Sequence, residues 1–228
     1  MITTAEHLEA LAGTSMTDLR LYGWVSDEQL IAIGRATQLI ELDMGLLSQQ
    51  NSEFTKVGLD AICKLPNLRY LGICSHALSS EAIEQLSKLD SLRELRLRAP
   101  GVAGLHRAIS GIPLRSLYVM DMNLSDRDLE AISQLKSLEE LYIEDSTLTL
   151  TIPLSQLKML VRSPSLRRIE LNGVFLTVGE LRELADTADK LELLAVTSPY
   201  ISQTDLMELT NEYSPLEITG SFLPLPSL

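Results

Sequence analysis

The sequence predicts an α/β fold in which one unit, a β-strand followed by a short helix, is repeated along nearly the whole chain. Leucine makes up about a fifth of the 228 residues, whereas aromatic residues make up 4%. Such a bias towards one aliphatic residue is typical of a chain that repeats one structural unit. An apolar strand phrase also recurs at nearly constant spacing, followed in most copies by a polar cap residue and a helical pattern. The hydrophobic content of 45% is enough for a sizeable core and excludes a disordered chain.

The strand phrase is L-x-x-L-x-L, in which each L stands for leucine or another mostly apolar residue. Nine copies start 22 to 29 residues apart. They are MTDLRL from Met16, LIELDM from Leu39, LRYLGI from Leu68, LRELRL from Leu92, LRSLYV from Leu114, LEELYI from Leu138, LRRIEL from Leu166, LELLAV from Leu191 and YSPLEI from Tyr213. The second and third apolar positions are two residues apart, so they point to the same side of an extended strand.

Helical patterns that begin after a Ser or Thr follow the strand phrases. They are VSDEQLIAIG, LSSEAIEQLSKL, LSDRDLEAISQL, LTVGELRELA and ISQTDLMELT. Four of them have the spacing of a capping box or close to it, at Ser26/Gln29, Ser125/Asp128, Thr177/Glu180 and Ser202/Asp205. Prolines at 66, 113, 164 and 215 end the helices. Each unit is therefore predicted to be a strand, a turn, a short helix and a loop.

No single unit can bury both of its apolar faces, but stacked units share one continuous core. Because helices are wider than strands, such a stack bends with its parallel sheet on the inside. The pattern resembles the leucine-rich repeat proteins with a short helix per repeat, of the ribonuclease-inhibitor-like and cysteine-containing types. The resemblance implies a right-handed solenoid, or horseshoe, with a parallel sheet on the concave face and short helices on the convex face.

The chain departs from this family at one position. The family places Asn or Cys three residues after the last strand leucine, where the side chain bonds neighbouring turns. The residues found there are Trp24, Leu47, His76, Pro100, Met122, Ser146, Val174, Pro199 and Ser221. A regular asparagine ladder is therefore not expected.

We predict a single domain over residues 1–228, with a helical cap at 1–15, about nine repeats at 16–223 and a tail at 224–228. Thr3 and Glu6 have capping-box spacing in the cap, and the apolar FLPLPSL segment is expected to lie over the last repeat. The longer loops at 48–56 and 146–156 are interpreted either as solvated loops or as parts of a binding rim. Neither end is expected to hold a catalytic domain.

Composition limits the partners and the compartment. The net charge of −12 and the sequence pI near 4.7 argue against nucleic acid and anionic membranes as partners. The N-terminus lacks the basic and apolar regions of a signal peptide, and no apolar run is as long as a membrane span. The two cysteines, Cys63 and Cys74, do not make a disulfide framework. We therefore expect a reduced, cytoplasmic protein.

The strand positions between the leucines are predicted to face solvent from the concave sheet. One row is Arg20, Asp43, Gly72, Arg96, Tyr118, Tyr142, Glu170, Ala195 and Glu217. The second row is Tyr22, Gly45, Cys74, Arg98, Met120, Glu144, Asn172, Thr197 and Thr219. A face of this size suits a protein partner better than a small metabolite.

The central repeats place Arg, Tyr and Met together on this face, and these residue types are enriched at interface cores. The predicted partner-binding residues are Arg96, Arg98, Tyr118, Met120 and Tyr142 at the centre, Tyr22 and Tyr70 further out, and the acidic Asp121, Glu144, Asp145 and Glu170, with Glu140 in the same acidic set. The alternative is a polar face that only keeps the sheet soluble. Asp121 and Asp145 occupy equivalent positions in adjacent repeats, and we interpret them as a solvated acidic patch rather than a cation site.

The sequence predicts no enzyme, cofactor or metal site. A remote alternative is a thiol enzyme in which Cys74 is paired with His76 and activated by Arg98. The predicted function is a protein-interaction module, acting as an inhibitor, an adaptor or a recognition subunit, with a partner that the acidic charge favours to be basic. The other hypothesis is a self-associating scaffold, so a monomer and a weak homo-oligomer both stay open.

Overall fold

The computed structural model describes residues 5–44, 54–147 and 151–221. Within these ranges nine strands follow one another in a sheet whose order is that of the sequence. They are Asp18–Leu21 (β1), Glu41–Met44 (β2), Tyr70–Cys74 (β3), Glu94–Arg98 (β4), Ser116–Met120 (β5), Glu140–Glu144 (β6), Arg168–Asn172 (β7), Leu193–Thr197 (β8) and Glu217–Ser221 (β9). Thr3, Gly45, 48–53, 148–150 and the tail at 224–228, on which predictions were made, lie outside the described residues.

A helix or a short helical turn follows the strands. The α-helices are Ala5–Glu9 (α1), Asp27–Ile33 (α2), Lys56–Ile62 (α3), Ser80–Ile83 (α4), Leu105–Ala108 (α5), Asp126–Ser133 (α6), Leu154–Val161 (α7), Val178–Ala185 (α8) and Gln203–Glu212 (α9). Two 3-10 segments, Ala10–Gly13 and Glu84–Lys88, extend α1 and α4. No helix among the described residues is both long enough and apolar enough to pass through a membrane. The predicted alternation of strand and short helix is confirmed.

The chain divides into two compact units. The first unit comprises residues 1–114 and 122–128 and contains β1 to β4, and the second comprises 115–121 and 129–228 and contains β5 to β9. In the first unit Leu42 lies beside Leu19 and Leu71 in parallel register. In the second unit the same position is taken by Leu141, which lies between Leu117 and Ile169. The domain boundaries predicted from the sequence stay a prediction.

The repeated leucines form the core. Residues of β4, β5 and β6 alternate between half-buried and buried along the strand, as the spacing of the phrase predicts. Leu42, Leu71 and Leu95 of the first unit have no exposed surface. Burying each such side chain contributes about 2 kcal/mol, so the stacked leucines are the main stabilising feature of both units.

The predicted capping boxes are confirmed. At α2 the amide of Gln29 donates to Ser26 Oγ at 3.4 Å, and the amide of Ser26 donates to Gln29 Oε1 at 2.9 Å. Reciprocal hydrogen bonds of the same kind occur at α8 and α9. At α6 the amide of Ser125 donates to Asp128 Oδ2 at 2.8 Å.

Two aspartates, one in α2 and one in α6, also accept hydrogen bonds from residues at the start of a neighbouring helix. Asp27 of α2 accepts hydrogen bonds from the amides of Thr55 and Gly58, both at 2.8 Å, where α3 begins. Asp128 of α6 accepts from the amide and from Nδ1 of His106 of α5, both at 2.7 Å. These contacts join helices of different repeats and were not predicted.

The predicted alignment of the ninth repeat is wrong by two residues. Ile218 pairs in register with Leu194, and Gly220 pairs with Val196, so the phrase starts at Pro215 instead of Tyr213. Helix α9 is ten residues long and delays the strand. Gly220 therefore occupies a leucine position, where an added Cβ would lie 1.8 Å from the carbonyl oxygen of Val196.

The two predicted surface rows change as a result. Glu217 aligns with Leu193, and Thr219 aligns with Ala195, so each belongs two residues away from its predicted place. The rows are also interrupted at β3, where Gly72 and Cys74 are buried although solvent exposure was predicted.

Candidate functional site

On the sheet of the first unit, Tyr70 and Arg96 form one contact cluster. The guanidinium carbon of Arg96 lies 5.5 Å from the ring centroid of Tyr70, and its Nε donates to Glu94 Oε1 at 2.8 Å. Tyr70 donates its hydroxyl hydrogen to Asp43 at 3.3 Å. Burial, assisted by the negative charge of Asp43, raises the pKa of Tyr70 to about 12. Arg96 is also the register partner of Gly72, which has no side chain.

Other predicted residues of the first unit lie nearer its edges. Tyr22 directly follows β1 and is 70% exposed. Trp24 lies two residues after Tyr22 and is 56% exposed. It was predicted to be a turn residue and was not among the predicted binding residues. Arg98 ends β4, is half-buried and pairs in register with Cys74. Tyr22 and Trp24 thus add aromatic surface that the alignment of strand positions identified only in part.

On the second unit, the two predicted tyrosines lie side by side. The ring centroids of Tyr118 and Tyr142 are 5.7 Å apart, and the ring planes are inclined at 35°. Both occupy the middle of their strands and are register partners. Burial, together with the hydrogen bond to Glu144, raises the pKa of Tyr142 to about 12. The pair is an aromatic surface at the middle of β5 and β6.

A chain of hydrogen bonds orients the ring of Tyr142. Thr197 donates to Asn172 Oδ1 at 2.6 Å, and Asn172 Nδ2 donates to the hydroxyl oxygen of Tyr142 at 2.8 Å. Tyr142 in turn donates its hydroxyl hydrogen to Glu144. The chain crosses β8, β7 and β6, so three neighbouring repeats hold one aromatic side chain in place. Met120 of β5 is the register partner of Glu144, the last acceptor of this chain of hydrogen bonds.

Glu140, a member of the predicted acidic set, connects three side chains on the same face. It accepts hydrogen bonds from Ser116 at 3.2 Å and from the hydroxyl of Tyr118 at 3.3 Å. Its other oxygen lies 3.1 Å from Nη1 of Arg168. The sequence pattern placed Glu140 on this face but did not predict these contacts.

Glu170 continues the row of Tyr142. It is half-buried and lies between Tyr142 and Ala195 in register. These residues belong to what we call the sheet face of the second unit. Its described side chains are Ser116, Tyr118, Met120, Glu140, Tyr142, Glu144, Arg168, Glu170, Asn172, Leu193, Ala195, Thr197, Glu217 and Thr219.

Two solved structures have a similar fold. Internalin C2 of Listeria monocytogenes strain 4b F2365 superposes with a TM-score of 0.59 and 16% identity, over 95% of this chain and 92% of that chain. An internalin, inlF, of the same strain gives a TM-score of 0.52 and 19% identity, over 98% of this chain and 65% of that chain. Internalins are leucine-rich repeat proteins. This chain has the leucine-rich repeat fold. No protein-family model matches it.

Within this leucine-rich repeat fold, Asp121 and Asp145 are turn residues. Asp121 has a φ of 56° and accepts hydrogen bonds from the amide and the hydroxyl of Ser146, at 2.8 and 2.6 Å. Asp145 is 7% exposed and accepts from the amide and hydroxyl of Thr147, at 3.0 and 2.5 Å. Both carboxylates therefore support turns, as an asparagine does in leucine-rich repeat proteins. The interpretation of Asp145 as part of a solvated patch is wrong, because its side chain is buried.

The turn-supporting residues stand one position earlier than the family pattern suggested. Ser75, Asp121, Asp145 and Ser198 each follow the last strand leucine or its equivalent by two residues. Ser198 Oγ donates to the carbonyl of Leu176 in the previous repeat at 2.8 Å. An irregular ladder of serine and aspartate thus joins several turns of this leucine-rich repeat chain.

The residues of the remote catalytic alternative differ in exposure. Cys74 is 4% exposed and is the register partner of Arg98, whereas His76 is exposed. The other cysteine of the chain, Cys63, is also buried, and burial raises the pKa of its thiol to about 12. Among the described residues no group of three or more His, Cys, Asp or Glu side chains is arranged to hold a metal ion.

Proposed function

We propose that the chain is a non-catalytic protein-interaction module that binds a protein or peptide on its sheet. The observation that carries this proposal is the tyrosine pair Tyr118 and Tyr142, which is half-buried and held in one orientation on the sheet face of the second unit. Ordered aromatic rings that keep part of their surface accessible supply binding energy at a small entropic cost. The leucine-rich repeat fold supports the proposal in general, because solenoids present long surfaces to partners.

Each unit contributes its own set of predicted contacts. In the first unit these are Arg96, Arg98, Tyr70 and Tyr22, and in the second unit Tyr118, Met120, Tyr142, Glu144 and Glu170. Asp121 and Asp145 remain in the proposed set with a supporting role, because their carboxylates already accept hydrogen bonds within the turns. Inhibitor, adaptor and recognition subunit are the proposed roles. The net charge of −12 supports a basic partner and opposes nucleic acid and anionic membranes.

The experiment uses one variant in each unit and a matched control. Tyr118→Ala/Tyr142→Ala removes the aromatic pair, Arg96→Glu reverses a charge on the first unit, and Arg127→Glu makes the same reversal on the exposed side of α6. Native partners are captured from lysate, cross-linked and mapped by mass spectrometry. We expect cross-links near the strands that disappear with either sheet variant and persist with Arg127→Glu.

Circular dichroism must show that all three variants are folded before their binding is compared. Partners that bind both sheet variants as tightly as the unaltered protein would refute the proposed surface. Cross-links confined to the helices would do the same.

Self-association as a scaffold is the second candidate function, and exposed apolar side chains favour it. Tyr22, Trp24 and Met207 are 70%, 56% and 63% exposed. Met207 also lines an open groove between α9 and β9, together with Leu206 and Ile218. Light scattering over a hundredfold range of concentration distinguishes the two functions. A concentration-dependent dimer that Met207→Glu abolishes would favour the scaffold.

A cytoplasmic location is part of this proposal. It is supported by Cys63 and Cys74, which are both buried and are not joined in a disulfide, as expected for thiols in a reducing compartment.

A further inference from the structure

The sheet face of the second unit carries an excess of negative charge. Four glutamates and one arginine lie on it. The arginine, Arg168, already forms an ion pair with Glu140 at 3.1 Å. The field over this face therefore attracts cationic groups of a partner and repels anionic ones.

Glu170 differs from the other half-buried carboxylates of this face. Glu140 has three donors, and Glu144 accepts from Tyr142. The carboxylate of Glu170 makes no hydrogen bond or ion pair with any residue in the described part of the chain. Partial burial of an unpaired carboxylate has an energetic cost, which a cation from outside would offset.

The side chains around Glu170 leave space for such a cation. Its register partner on one side is Ala195, and the partner of Ala195 on the next strand is Thr219. Both side chains are short, so there is open space above the sheet directly beside the carboxylate of Glu170. On the other side stands the ring of Tyr142, held by its hydrogen bonds. A guanidinium group can pack against such a ring while it binds a carboxylate.

We propose that the partner presents a basic segment to the second unit, with an arginine side chain that lies over Ala195, pairs with Glu170 and packs against Tyr142. This inference rests on the proposed function and specifies the chemistry of the partner. Glu170 selects the positive charge, and the tyrosine pair supplies apolar contact for the neighbouring residues of the segment.

The test starts from peptides, because a random library can be selected before the natural partner is identified. A phage-displayed library of random dodecapeptides is selected on the unaltered protein, and the enriched peptides are measured by fluorescence anisotropy. We expect an arginine at one fixed position. Glu170→Gln should weaken binding about tenfold, whereas Glu208→Gln on the exposed side of α9 should have no effect. Ala195→Tyr fills the proposed space and should weaken binding at least as much.

A double-mutant cycle identifies the contact itself. Replacing the peptide arginine by glutamine should weaken binding to the unaltered protein about tenfold and binding to Glu170→Gln hardly at all. If the two substitutions together lose the sum of the binding free energies that each loses alone, the inference is overturned. Enriched peptides that show no preference for basic residues would overturn it as well. If those peptides still lose affinity with Tyr118→Ala/Tyr142→Ala, the proposed function stands without it. Peptides that bind the tyrosine variant unchanged would refute the binding surface as well.

Discussion

Asp128 offers a direct test of how neighbouring helices are held together. Its side chain has no exposed surface, and its carboxylate accepts four hydrogen bonds. Two come from the amide and the ring of His106, and two from the amide and the hydroxyl of Ser125. Burial acts to raise the pKa of Asp128, but the hydrogen bonds from Ser125 and His106 outweigh it and hold that pKa below its usual range.

Asp128→Asn is therefore expected to lower the free energy of unfolding by about 2 to 4 kcal/mol, because one of the two acceptor oxygens is replaced by a donor group that faces buried donors. The control is Asp205→Asn in α9. Asp205 accepts the same two hydrogen bonds from Ser202, but it is half-exposed and has no partner corresponding to His106 among its described contacts. Its replacement should have a clearly smaller effect.

Urea unfolding followed by circular dichroism measures both variants. The pH dependence provides a second measurement with a defined sign. Because the pKa of Asp128 is lowered on folding, its contribution is present above about pH 4 and is lost as the pH falls through the folded-state pKa. The difference between the unaltered protein and Asp128→Asn should shrink in acid. Equal losses for Asp128→Asn and Asp205→Asn at neutral pH would refute the reasoning.

Three further predictions concern glycines, a thiol and two tyrosines. Gly58→Ala should destabilise the fold by about 2 kcal/mol, because the added Cβ would lie 2.5 Å from a carboxylate oxygen of Asp27 in α2. Gly179→Ala should instead stabilise α8 by about 0.5 kcal/mol, because an added Cβ there meets open space. Urea unfolding measures both variants. Cys63, with its pKa raised to about 12 by burial, should react with a thiol reagent at pH 8 far more slowly in the native protein than in urea. Tyr70 and Tyr142 should ionise near pH 12 in absorbance titrations, and because their pKa values are raised on folding, their stabilising contribution should be lost between about pH 10 and 12.

Each of these predictions has a result that contradicts it. Equal effects of the two glycine substitutions would mean that the close contact at Gly58 relaxes without cost. Native labelling of Cys63 at the rate seen in urea would show that the thiol is accessible. Ionisation of all tyrosines near pH 10 would show that Tyr70 and Tyr142 are not shielded by their surroundings.

The sequence was sufficient for the repeat architecture, because leucine spacing reports directly on which strand positions are buried. It also predicted that Tyr118 and Tyr142 are neighbours, since both hold the same position in consecutive repeats. The ninth repeat was misaligned because Gly220 occupies a leucine position for a backbone reason, the close approach of the Val196 carbonyl. Side-chain identity alone gives no sign of that approach.

Other features depend on packing that the repeat pattern does not encode. The contact of Asp128 with His106 joins residues 22 positions apart, and the repeat pattern gives no sign that these two side chains meet. Cys74 was assigned to the surface by its position in the strand, but it is buried, with 4% of its surface exposed. Glu140 was predicted only as a member of the acidic set, because the spacing of the repeats does not show that its carboxylate would contact Ser116, Tyr118 and Arg168.

The register of the strands has a consequence for how this chain can change over generations. Within each unit a strand pairs with its neighbours in sequence, and equivalent positions such as Leu141, Ile169 and Leu194 lie side by side. Deleting the residues between one such position and the same position of the next repeat would remove one whole repeat. The strands on either side could then pair in the same register. Duplicating the repeat would insert one more strand, about 4.8 Å of new sheet, with its own freely variable surface residues. The size of the exposed sheet surface is thus a quantity that genetic recombination can adjust in whole steps, without redesigning the core.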